Sequence, residues 1–210
     1  MIPLVTTVVS GAFAVAVALR YVRRRRPALL AWSIGLGLFS VAAFMGFLAR
    51  TGGATDVEYR LFYLFGAIAN VAWLALGTVL IVAPRFGRAT LIAVLALCAA
   101  AVYAVFATPV DLAVAVDTGR GFPDGSLPRI LAGIGSGLGS LVLIAGALWS
   151  AWVFLRRRDQ GRRALANVII AVGVFIAAAG GTVAFTGASG VLELTNLIGV
   201  SVMFVGFLLA

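Results

Sequence analysis

The sequence predicts an all-α integral membrane protein of seven transmembrane helices, and three observations carry that prediction. The chain is 63% hydrophobic and 11% charged, with a mean hydropathy of +1.14, far above the half-apolar make-up of soluble domains. Seven apolar runs, 2–22, 28–49, 61–83, 90–107, 130–155, 164–185 and 191–209, approach the length of about 20 residues that spans the hydrocarbon layer as a helix. The runs are continuously apolar, whereas barrel strands would alternate and be about half as long. Residues 1–210 are therefore expected to form one seven-helix membrane domain with little soluble mass.

The first run has no positive residues before it and is followed by RRRRP, the reverse of a secretory signal, so it is expected to stay as a helix. Pro27 then stands where proline can open the second helix. That helix closes at Arg50, in the polar loop RTGGATDVEYR. The third run carries a stripe at helical spacing, Tyr59, Tyr63, Gly66, Asn70 and Trp73, with Asn70 deep in the run. After the turn APRFGR, the shorter fourth run leads into a loop of about twenty residues, long for a connection. Its segment VDLAVAV reads as a short interfacial piece.

The fifth run contains GIGSGLGS, in which Gly133 and Gly137, and Gly135 and Gly139, are spaced four apart. Small residues at that spacing let helix backbones approach, so these glycines are read as helix-packing positions. A phosphate-binding loop is disfavoured, because no strand precedes the motif and no lysine follows it. Trp149 and Trp152, ahead of RRRDQGRR, suit an interfacial aromatic belt.

Charge sets the expected orientation. Arg20, Arg23 to Arg26, Arg85, Arg88, Arg156 to Arg158, Arg162 and Arg163 share one side of the membrane with a single acid, Asp159. The other side carries four arginines and six acids, Glu58 and Glu193 among them. Positive loops stay in the cytoplasm, which places the N-terminus outside and the C-terminus inside, in the plasma (inner) membrane. The formal charge of +9 thus reflects topology rather than nucleic-acid binding, and the arginine blocks suit anionic lipids of the inner leaflet.

Absences narrow the chemistry. With no histidine and one cysteine, Cys98, the sequence offers no imidazole ligand, no internal disulfide and no cysteine-based metal site. With no lysine it cannot form a retinal Schiff base, although helix count and orientation match the rhodopsins. With no histidine, no cysteine pair and no acid pair within a core run, no enzyme and no cofactor is expected.

The two halves resemble each other weakly. At an offset of 136, Ile34 meets Ile170, Gly37 meets Gly173, Phe39 meets Phe175 and Ala42 meets Ala178; Glu58 and Glu193 are 135 apart. Three crossings are odd, so one extra helix, 90–107, would keep repeats 1–83 and 129–210 parallel. The alternative is chance matching within a chain so rich in Ala, Gly, Val and Leu. This three-plus-one-plus-three plan is similar to the sugar carriers of the PQ-loop type. The sequence contains no Pro-Gln pair, so the likeness is one of architecture and charge pattern only.

Ionisable or amide groups inside a membrane segment are costly and invite a functional reading. Glu193 and Asn196 share one helical face, Glu58, Tyr59 and Tyr63 occupy the comparable part of the third run, and Asn70 lies near the centre of that run. Glu193, Asn196, Glu58, Tyr63 and Asn70 are the candidate ligand-binding residues, forming a polar pocket open to the outside. The plainer reading pairs the two acids with Arg50, Arg60 or Arg129 at helix ends and gives Asn70 an interhelical hydrogen bond worth about 1 kcal/mol. The expected function is a small-molecule carrier or ligand-binding membrane protein. The alternative is an accessory or assembly subunit, or a sensor-like membrane domain, that docks another membrane protein or a second copy of itself.

Overall fold

The computed structural model describes residues 1–118, 120–156, 160–185 and 189–210; Arg157, Arg158 and Asp159 of the expected cytoplasmic block lie outside the described residues. Every regular element among them is helical, and seven helices are long and apolar enough to cross a membrane. In chain order these are Ile2–Arg24, Pro27–Gly52, Asp56–Val82, Pro84–Ala107, Leu127–Leu155, Gly161–Phe185 and Ser189–Leu209.

Local chemistry sets several of the boundaries. Arg25 takes a left-handed conformation (φ 49°), its N–H returning to the Tyr21 carbonyl, and Pro27 opens the next helix one residue after Arg26. The third helix starts at Asp56, ahead of its apolar run, because Thr55 and Glu58 form a capping box. The Thr55 N–H donates to the Glu58 carboxylate at 3.0 Å, and the Glu58 N–H donates to the Thr55 hydroxyl at 3.3 Å. The long loop holds a short helix, Leu112–Thr118, where VDLAVAV suggested an interfacial piece. Asp111 caps it by accepting the Val114 N–H at 3.1 Å.

Six helices close a ring in the order first, second, third, fifth, sixth, seventh and back to the first. The fourth stands outside that ring, against the third helix and the beginning of the fifth. Its far face, with Ile92, Leu95, Val102 and Tyr103, is exposed and suits hydrocarbon.

At the arginine-rich end all six ring helices meet in one apolar cluster that includes Phe13, Leu36, Leu74, Leu143, Ile170 and Met203. Phe13 is its centre, stacked on Phe204 at 4.8 Å and tilted against Phe207 at 5.2 Å. The sixth and seventh helices approach most closely, and glycine is the cause. A Cβ on Gly173 would lie 2.7 Å from the Gly199 carbonyl oxygen, and one on Gly199 would lie 2.8 Å from that of Gly173. In a membrane such backbone contact drives helix association, because lipid offers little hydrophobic gain. In the first half the corresponding contact is made by Gly35, whose Cβ would lie 2.7 Å from the Asn70 carbonyl oxygen; Gly37 faces open space.

Candidate functional site

Above the apolar cluster the ring helices diverge and enclose a cavity of about 1100 Å³ on the acid-bearing side. Glu58, Tyr63 and Asn70 of the third helix and Glu193 and Asn196 of the seventh all line it.

The rim is charged, and its charges are compensated. The Arg50 guanidinium at the end of the second helix meets the Glu193 carboxylate at 2.5 Å. Glu58 uses its carboxylate in the capping box and pairs with no arginine among the described residues. Asp124 in the long loop pairs with Arg129 and, at 3.5 Å, with Arg120. Arg60 does not face the cavity: it is buried, donates to Asp56 at 2.6 Å, and reaches the carbonyls of Val105 and Thr108 where the fourth helix ends. A guanidinium at a helix C-terminus satisfies orphan carbonyls and complements the dipole. The plainer sequence reading offered Arg60 to Glu58 or Glu193; the spacing of four from Asp56 to Arg60 is the signal that would have found the actual pair.

The loop closes part of the mouth. Phe122, 1% exposed, sits on Tyr59 at 5.5 Å and on Tyr63 at 4.9 Å, and the Gly121 N–H donates to the Tyr59 hydroxyl at 2.9 Å. The Tyr63 hydroxyl is buried beneath this stack with no partner among the described residues.

Below the rim the polar groups are neutral. Asn70 is 4% exposed; its Oδ1 accepts the Val71 N–H at 2.6 Å, and no acceptor among the described residues takes its Nδ2 hydrogens. Ser140 of the fifth helix, also buried and lining the cavity, has no hydrogen-bond partner among the described residues. Both follow a π-helical segment, Leu64–Ala69 in the third helix and Gly133–Leu138 in the fifth, and the two segments pack together. The Ser136 hydroxyl donates across this seam to the Ala67 carbonyl at 2.6 Å. Single π turns recur at functional sites because they reset which side chains face inward. Sequence periodicity cannot reveal them, since they alter hydrogen-bond register without altering composition.

The four glycines of GIGSGLGS divide by face. Gly135 meets the Ile68 backbone, and a Cβ on Gly139 would come within 2.9 Å of Val71 Cγ1. Gly133 and Gly137 line the cavity instead, with open space where a Cβ would stand. Among the described residues no three acidic or cysteine side chains gather as metal ligands. At the arginine-rich end Trp149 and Trp152 are exposed and mutually packed at 5.0 Å, with the Arg156 guanidinium 3.8 Å over the Trp152 ring, the composition of an interfacial belt.

No protein family, curated protein or solved structure matches the chain. What the geometry defines is the coarse class: a multi-pass, membrane-type helical bundle enclosing a large cavity.

Proposed function

We propose that this protein is a small-molecule carrier or ligand-binding membrane protein of the plasma membrane, with its cavity open to the outside and closed toward the cytoplasm. The observation that carries the reading is the convergence of Glu58, Tyr63, Asn70, Glu193 and Asn196, distant in sequence, on one cavity above an apolar floor. A binding site is commonly a mostly apolar concavity with a few placed polar groups. The ring order lends further support to a carrier built from parallel repeats, because each contact in one half has a counterpart: first with second and fifth with sixth, second with third and sixth with seventh, third with fifth and seventh with first. In such carriers the site lies near the midplane between the repeats.

The test begins with Cys98→Ala protein bearing Asn70→Cys or Asn196→Cys in intact cells. A membrane-impermeant thiol reagent added outside should label both positions; failure to label either refutes an outward-open cavity. A thermal-shift screen of small molecules on the purified protein should then yield stabilising compounds whose effect is lost in Glu193→Gln and Asn70→Leu. Indifference of every hit to both substitutions removes the binding role. Co-purification of another membrane protein in fixed ratio would favour the accessory-subunit reading.

A further inference from the structure

We infer that the cavity takes an uncharged amphiphile that enters sideways from the hydrocarbon layer, through a gap between the fifth and sixth helices on the acid-bearing side. This rests on the binding role proposed above and specifies its ligand and route.

Charge is the first argument. The carboxylates and guanidinia at the rim are engaged with one another or in a helix cap, and deeper in, the polar wall consists of amides and hydroxyls such as Asn70, Ser140 and Asn196. A charged ligand at that depth would lose its hydration without gaining a counter-charge, a penalty of several kcal/mol. An uncharged head loses far less and finds open hydrogen-bonding capacity in the Asn70 Nδ2 hydrogens and the Ser140 hydroxyl, which no group among the described residues uses.

The route is the second argument. The fifth helix meets the sixth chiefly along Gly139–Leu155, while its acid-side part, Leu127–Leu138, packs against the third and fourth helices. Where the sixth helix diverges, Gly133, Gly137 and Gly181 line the cavity, and among the described residues a Cβ on any of them would meet nothing within 4 Å. Leu141 and Phe175 line the cavity although they are 63% and 64% exposed, as residues at the edge of an opening must be. Polar solutes do not travel through hydrocarbon, so a doorway there serves a ligand already dissolved in it. The cavity, about 1100 Å³, lies just above the ligand-pocket range of about 300–1,000 Å³, roomy enough for a chain as well as a head.

Diazirine-bearing photoprobes test this on the full-length Cys98→Ala protein in phosphatidylcholine vesicles: dodecanamide, dodecyl sulfonate and dodecyltrimethylammonium, with adducts mapped by mass spectrometry. The dodecanamide probe should label cavity residues around Gly137 and Ser140, competed by unlabelled dodecanamide, with the charged probes giving under about a tenth of that labelling. Gly137→Trp should block the gap and cut cavity adducts about tenfold; Gly181→Phe, on the opposite side, does the same if the first variant fails to fold. Equal cavity labelling by a charged probe, adducts confined to outward-facing Leu138 and Leu148, or adducts undiminished in both variants overturns the inference. Aqueous labelling of Asn196→Cys in the same vesicles separates the two ideas. If that cysteine reacts and the amide probe stays out, the inference alone fails; if it does not react, the binding cavity fails with it.

Discussion

Replacing Phe13 by alanine tests whether the first and seventh helices truly close the ring. The Phe13 side chain is wholly buried, at 0% exposure, and its neighbours Phe204 and Phe207 both belong to the seventh helix. Truncation removes about 100 Å³ of side chain, and at about 24 cal/mol per Å³ of residual void this costs about 2.4 kcal/mol. Lost aromatic contacts add about 1 kcal/mol, so the expected destabilisation is about 3 kcal/mol. The usual transfer gain is left out because the unfolded helices stay in an apolar solvent, making packing the main term. Equilibrium unfolding in mixed micelles measures the change. A second readout uses Met203→Cys in the Cys98→Ala background, since Met203 belongs to the floor and also lines the cavity. It should react with reagent applied from the arginine-rich side only when Phe13→Ala is present. A loss below about 1 kcal/mol, with that cysteine still protected, would mean that Phe13 faces lipid and that the ring is open.

Two further substitutions probe the acid-bearing end. Arg60→Met removes a buried cation from Asp56 and from two carbonyls at the end of the fourth helix; leaving those groups unpaired should cost about 3 kcal/mol in the same unfolding assay, and a cost under about 1 kcal/mol would refute the clamp. Tyr63→Phe removes a buried hydroxyl that has no partner among the described residues, so the ligand-free protein should gain about 1 kcal/mol. Destabilisation by a similar amount would show that the hydroxyl is hydrogen-bonded in the membrane.

The membrane class and the seven crossings were legible because run length and continuous hydrophobicity are local properties. So was the start of the second helix at Pro27, whereas the run-based reading began the third helix at residue 61 and missed its earlier start at Asp56, which the Thr55 and Glu58 capping box sets. The roles of the acids were less legible. Glu58 and Glu193 looked equivalent by spacing, yet one caps its own helix and the other pairs with Arg50 across the rim. Spacing states which residues share a helix face, not what stands opposite that face. The glycines of GIGSGLGS show the same limit: alternate members meet the third helix or open space, according to where that neighbour lies.

Composition alone determined the solvent of this protein and its secondary structure, since a continuous apolar segment of about 20 residues can satisfy its backbone in lipid only as a helix. Only the tertiary structure decided which helices are neighbours, that the fourth stands outside the ring, and that six helices pinch together at one end and part at the other. The physical reason is that every face of such a helix is apolar, so hydrophobicity does not say which face turns inward. Close approach at Gly173 and Gly199, aromatic stacking at Phe13 and the pairing of Arg50 with Glu193 supply that information, and each depends on residues far apart along the chain.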